Sequence, residues 1–191
     1  MKKQSLSIYL ISIGLTILLL LAFGCKNTEK KTVEKPDAFA AADNIIKNIN
    51  VPTFPDKKFN IIDFGAISDG ITSCSEAFKK AIDSCSKVGG GKVIVPSGKF
   101  LTGPIYLKSN VNLHLEEGAE VLFSKNTKDY LPVVHTSYEG QELMNYSPLI
   151  YSYKEKNIAV TGKGTFNGQA SNDNWWAWCG KDVYGYVDGT P

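Results

Sequence analysis

The chain has 191 residues, 43% hydrophobic and 21% charged, a size that suits one globular domain with short extensions and a composition that excludes wholesale disorder, collagen-like repetition and a polytopic membrane protein. Its formal charge of +2 misleads, because from Pro36 onward 15 lysines face 17 carboxylates, so the folding part is slightly acidic and lacks the basic stripe of a nucleic-acid binder. All 21 basic residues are lysine, and no side chain can form the bidentate fork with which arginine grips carboxylate or phosphate.

Lys2 and Lys3 precede an almost wholly apolar run from Leu6 to Phe23, which stops at Gly24-Cys25 before the polar stretch Lys26 to Lys31. That order is the plan of a signal peptide over residues 1–24. An uncleaved membrane helix competes with it, since the run lies at the lower edge of a bilayer span. The cysteine decides between them. Leu21-Ala22-Phe23-Gly24-Cys25 resembles a bacterial lipobox, departing from it only in Ala22 where the pattern has Leu. The resemblance implies that Cys25 is acylated and becomes the new N-terminus. Two or three acyl chains at ~0.8 kcal/mol per buried methylene hold a protein stably on a membrane. The expected location is the cell envelope, lipid-anchored to a bacterial membrane. Residues 25–35 then read as a polar tether.

With Cys25 consumed, Cys74, Cys85 and Cys179 remain, an odd number that precludes a disulfide framework. Cys74 and Cys85 fall on one expected helix, ~16 Å apart at 1.5 Å per residue, too far for a bridge. Both are expected to be buried thiols. No Cys/His spacing matches a zinc site, and neither a metal nor a cofactor is expected.

Residues 36–53 read as a short Ala-rich helix from Pro36 to Asn48 and a linker through Pro52 and Pro55. Phe59 to Phe64 reads as a strand, followed by an Asp69-Gly70 turn. Ser73-Cys74-Ser75-Glu76 has the form of a capping box opening a helix to Val88. Along it Cys74, Phe78, Ala81, Ile82, Cys85 and Val88 make one apolar stripe, with Lys79, Lys80, Asp83 and Lys87 facing away. Gly89-Gly90-Gly91 ends the helix. A phosphate loop is excluded there, because a helix precedes, a strand follows, and Val93 rather than Ser or Thr comes after Lys92.

Beyond Gly91 come short β runs: Lys92–Val95, Phe100–Leu101, Ile105–Leu107, Val111–Leu115, Val121–Phe123 and Ile158–Thr161. No helical stretch separates them, so an alternating βαβ fold is excluded. A sandwich would show Asn-Gly or Asp-Gly hairpin turns, of which Asn167-Gly168 is the single example after Gly91. Corners rich in Asn and Gly fit a parallel β-helix better, although no strict repeat period is visible.

Phe59-Asn60-Ile61-Ile62-Asp63-Phe64-Gly65-Ala66, Asp69-Gly70-Ile71-Thr72, Gly89-Gly90-Gly91-Lys92-Val93, Val95-Pro96-Ser97-Gly98, Thr102-Gly103-Pro104-Ile105, Leu113-His114-Leu115-Glu116-Glu117-Gly118-Ala119 and Pro148-Leu149-Ile150-Tyr151 occur in this order. The ordered set, from about Phe54 to Trp178, resembles the opening of polygalacturonase-like proteins, glycoside hydrolase family 28. The resemblance implies an all-β fold, a right-handed parallel β-helix of the pectin-lyase type capped by the Ser73–Val88 helix. It also implies inverting hydrolysis of galacturonan, with pectic polysaccharide or an oligogalacturonide as partner and a monomeric protein.

Inverting hydrolysis needs an acid at the leaving oxygen and a second carboxylate activating water, ~6.5–9.5 Å apart. The family supplies these groups from Asn-Thr-Asp, Asp-Asp, Gly-His-Gly and Arg-Ile-Lys, none of which this chain contains. No catalytic residue is therefore assigned. Residues 54–191 are expected to be the N-terminal part of a longer β-helix, inactive alone. Glu116 and Glu117 read as solvated turn residues, His114 as a surface or packing residue, and Tyr151 and Tyr153 as packing residues. Trp175, Trp176 and Trp178 are the candidates for carbohydrate contact. A pectate-lyase-like enzyme and a non-catalytic sugar-binding β-helix are the alternatives.

Overall fold

The computed structural model describes residues 38–176; the expectations for the leader, Cys25, the tether, Trp178 and Cys179 lie outside the described residues. The chain divides into two compact units between Ile49 and Asn50. In the first, α1 (Ala38–Lys47) occupies the expected Ala-rich stretch.

The second unit is a solenoid. One sheet stacks β1 (Lys58–Asn60), β3 (Gly91–Val95), β6 (Val111–Leu115) and β11 (Ala159–Gly162), and every pairing is parallel. A second stacks β2 (Asp69–Ser73), β4 (Gly98–Thr102), β7 (Ala119–Phe123) and β12 (Thr165–Asn167), again all parallel. The third pairs β5 (Ile105–Tyr106) with β10 (Ile150–Tyr151). Successive coils thus stack strand on strand in parallel, which is the parallel β-helix rather than the sandwich.

Like residues stack on like. Phe59, Val93, Leu113 and Val160 share one register row, and Phe100, Val121 and Phe166 share another. Val93, Leu113, Phe100 and Val121 are fully buried, each worth ~1.5–3 kcal/mol of transfer free energy. Phe166 also stacks on Phe123, two residues along β7 from Val121, with ring centres 6.0 Å apart. Asparagine builds a corner: Asn110 and Asn157 both take left-handed φ, 65° and 53°, and the Asn157 side-chain amide donates to Asn110 Oδ1.

The long helix, α2 (Ser75–Lys87), lays its expected stripe on this core and contacts β1, β3, β5 and β6. Phe78, Ala81, Ile82 and Cys85 are buried. It ends as the tri-glycine implies, with Gly90 N–H donating to Cys85 O at 2.9 Å. Cys74 and Cys85 are free and buried; burial pushes the Cys85 thiol up to about 11, with Lys57 pulling the other way.

Local structure departs from expectation in three places. The capping box does not form. Ser73 belongs to β2, Cys74 occupies the N-cap without a side-chain bond to the helix, and Ser75 Oγ is engaged elsewhere, accepting from Gly103 N–H at 2.8 Å. The strand expected at Phe59–Phe64 stops at Asn60, whose side chain caps a 3₁₀ turn at Ile61–Phe64 by accepting from Ile62 N–H. Asp69-Gly70 opens a strand rather than a free turn: the Asp69 carboxylate takes the Ile71 and Thr72 amides while β2 pairs with β4. Asn167-Gly168 makes no hairpin, since β12 pairs in parallel with β7. The hairpin that exists joins β8 (Val134–Tyr138) to β9 (Gln141–Asn145) through Glu139 and Gly140. Both turn residues have positive φ, 49° and 83°, as a type I′ turn requires.

Candidate functional site

The β8–β9 hairpin interrupts the second coil between β7 and β10, so it stands beside the short β5–β10 sheet. A 3₁₀ turn at Thr127–Tyr130 leads into it; Asn126 caps that turn at Lys128 N–H, and Asp129 accepts from Ser124 Oγ and Asn126 Nδ2. Tyr130 anchors the insertion. Its ring is buried, its hydroxyl donates to Ser124 O at 2.7 Å, and burial, with a smaller effect of Asp129, pushes the phenol up to about 12. Insertions of this kind are where a rigid scaffold displays variable chemistry.

Aromatic side chains link hairpin and sheet. Tyr106 of β5 meets Tyr151 of β10 edge to face at 5.8 Å, and the Tyr151 hydroxyl donates to His135 O of β8 at 2.7 Å. The His135 ring lies 5.0 Å from that of Tyr153, while its Nε2 faces Glu142 at 3.5 Å. Lys154 Nζ sits 5.1 Å from the Tyr153 ring centre. A groove of ≈ 370 Å³ opens alongside, lined among others by Glu76, Lys79, Tyr106, Asp129, Leu131 and Val134. Tyr151 thus packs as expected, whereas Tyr153 is 45% exposed.

The candidate tryptophans separate. Trp175 packs edge to face on Tyr130 at 5.8 Å and so serves the core of the insertion, whereas Trp176 is half exposed. His114 projects outward from β6, and Glu116 and Glu117 are exposed in the turn after it. Thr161 Oγ1 donates its proton to Asn112 Oδ1 at 2.8 Å, which leaves the Thr161 hydroxyl oxygen to accept from His114 Nδ1–H at 2.8 Å. The neutral imidazole therefore carries its proton on Nδ1 and a lone pair on Nε2.

Several carboxylates have structural work. Asp69 binds Ile71 and Thr72, bonds that hold it below its ordinary value; Asp83 faces Lys79 and Lys108; Glu155 accepts from Ser109 N–H and Oγ; Glu120 accepts from Asn167 Nδ2. Among the described residues no group of three or more His, Cys, Asp or Glu is placed to hold a metal ion. The arrangement offers aromatic faces, lysines and hydroxyls around one groove. Sequence patterning missed His135 and the hairpin, because Val133-Val134-His135-Thr136 alternates weakly and Glu139-Gly140 is not a strong turn dipeptide.

No family model matches the chain. An exopolygalacturonase from Thermotoga maritima superposes with a TM-score of 0.75 at 48% identity, covering 81% of this chain and 34% of that one. A family 28 exopolygalacturonase from Yersinia enterocolitica gives 0.53 at 34% identity, covering 59% of this chain and 21% of that one. In sequence, an exo-poly-alpha-D-galacturonosidase of Dickeya chrysanthemi is 36% identical over 120 residues, covering 59% of this chain and 19% of the relative. The chain spans between a fifth and about a third of the length of these relatives. Its homologues are thus polygalacturonases of glycoside hydrolase family 28, and the parallel β-helix is theirs as well.

Proposed function

We propose that this chain is the N-terminal part of a polygalacturonase-type glycoside hydrolase, which cleaves pectic polysaccharide by inverting addition of water. One observation carries the reading: the 48% identity to the Thermotoga maritima exopolygalacturonase, sustained over 81% of the chain. The coils described here supply the scaffold and the aromatic hairpin face. The acid and base that inversion requires come from turns outside the described residues. On this reading Trp176, half exposed, is the tryptophan that stacks on a sugar.

The gene's full product, incubated with polygalacturonate, is expected to release reducing ends whose first-formed anomer is inverted. An ultraviolet-absorbing unsaturated product would replace this reading with a lyase. Binding without any cleavage would replace it with a sugar-binding protein.

We also infer that Cys25 carries the lipid that holds the protein in the bacterial cell envelope, on the strength of Leu21 to Cys25. Cys25→Ala is expected to move the protein from the membrane fraction to the soluble one, and unchanged partitioning would refute the anchor.

A further inference from the structure

A second polar trough lies on the outward face of the first sheet, away from the β5–β10 strands. It is an open cavity of ≈ 380 Å³ lined by Lys58, Asn60, Asp63, Lys92, Ile94, His114 and Glu116. Lys58 and Lys92 are register partners on adjacent parallel strands, whose backbones run about 4.8 Å apart. Like charges so placed repel one another. Lys79, Lys99, Lys108 and Lys163 each face a carboxylate within 4 Å, yet Lys58 and Lys92 have no such partner among the described residues. Lys92 is nevertheless half-buried.

The lining changes along the strands. Two residues beyond the lysine row come Asn60, Ile94 and His114, aligned by register. Two further on, Glu116 follows β6, with the exposed Asp63 also at the rim. Four residues of strand separate the lysine row from Glu116, about 13 Å, room for a short run of sugar rings. The trough therefore has a basic end, an apolar floor at Ile94 and an acceptor-rich end. His114 belongs to the last, because its Nδ1–H is spent on Thr161 and its Nε2 lone pair is left to accept.

We propose that this trough binds a carboxylate-bearing sugar, a uronide, at a place separate from the hairpin face. The uronate carboxylate sits between Lys58 and Lys92 and relieves their repulsion. The ring's C–H face covers Ile94, and its hydroxyls donate to His114 Nε2 and Glu116. The choice of uronide rests on the pectic reading above.

Equilibrium binding to the full-length chain tests it, with oligogalacturonate, its methyl ester and oligomannuronate as probes and the double variant Lys58→Gln/Lys92→Gln. Lys58 is exposed and Lys92 half-buried, neither with an ion-pair partner among the described residues, and circular dichroism of the double variant checks that the fold is kept. A charge-assisted contact is worth ~1.5–3 kcal/mol, so about a tenfold or larger loss of oligogalacturonate affinity is expected, with the ester weaker than the acid by a similar factor. Unchanged affinity in the double variant, or esters bound as tightly as acids, would overturn the trough, while hydrolysis of polygalacturonate by the same protein would leave the enzymatic reading standing. Lysine-dependent binding of oligomannuronate alone would keep the trough and remove the pectic substrate.

Discussion

Ser73 and Ser75 offer opposite outcomes for two accounts of how α2 begins. In a capping box the Ser73 hydroxyl would satisfy a helical amide, and its loss would cost ~1 kcal/mol. In the structure Ser73 is exposed, and its hydroxyl meets Ser75 Oγ at 3.2 Å rather than a helical amide. Ser75 Oγ instead accepts from the N–H of Gly103, a buried residue, and lies 3.3 Å from the fully buried Thr102 Oγ1. Removing it leaves a buried amide without a partner, which costs about 1–3 kcal/mol. Ser75→Ala should therefore destabilise by that amount, and Ser73→Ala by less than ~0.5 kcal/mol, as for a surface site. In urea denaturation followed by circular dichroism, with a slope near ~2 kcal/mol/M, the first lowers the midpoint by about 1 M and the second scarcely moves it. A Ser73→Ala cost equal to or above that of Ser75→Ala would refute the assignment and restore the capping box.

Gly162→Ala should be among the most damaging small substitutions, because a Cβ there would lie 1.9 Å from Leu115 O on a backbone with φ +105°. Strain of this kind costs ~1–3 kcal/mol before the clash is counted, and thermal unfolding that matches the wild type would show that β11 does not sit on β6 as described. The Asp69 carboxylate is held below its ordinary value by its bonds to Thr72 and Ile71. A lowered folded value makes its contribution fully present above the unfolded value and lost as pH falls through the folded one. The stability gap between wild type and Asp69→Asn is thus expected to close below about pH 4, and a gap constant from neutral to acid pH would exclude an ionic role. Burial with the thiol raised to about 11 implies that Cys85 resists an aromatic disulfide reagent in the native state. In a Cys25→Ser/Cys179→Ser background, thiol titration should detect reaction only on unfolding, and rapid native labelling would contradict the packing of α2.

What the sequence revealed and what it concealed divide along physical lines. Val111–Leu115 alternates cleanly because Val111, Leu113 and Leu115 enter the core while Asn112 and His114 point outward to bond Thr161, and β6 has those same bounds. The α2 stripe was legible for a similar reason, since a helix face buried along its length leaves a periodic trace. The start of α2 was not legible, because Ser75 is recruited by Gly103 across the fold and no local pattern encodes that partner. Asn60 and Asp69 were misread for a related reason: short polar side chains can turn the chain or cap it inside a strand connection, and only the neighbouring coil decides which. The candidate sites depend still more on register. Lys58 and Lys92 become neighbours only when β1 pairs with β3, and the hairpin reaches β10 only through Tyr151 and His135.

The stacked registers of the first sheet also bear on how freely the second coil can vary. From Val93 to its partner Leu113 the chain travels 20 residues, and from Leu113 to Val160 it travels 47, yet the stacking of the three is unbroken. For a flexible connection, lengthening a closed loop by that ratio costs only about 0.8 kcal/mol of chain entropy, less than the burial of one aliphatic side chain returns. The coil that carries the hairpin can therefore be lengthened, shortened or rewritten between Leu131 and Tyr146, beyond the buried Tyr130 anchor, with little consequence for the rungs above and below it. Diversification of the aromatic face is, in this architecture, nearly uncoupled from folding.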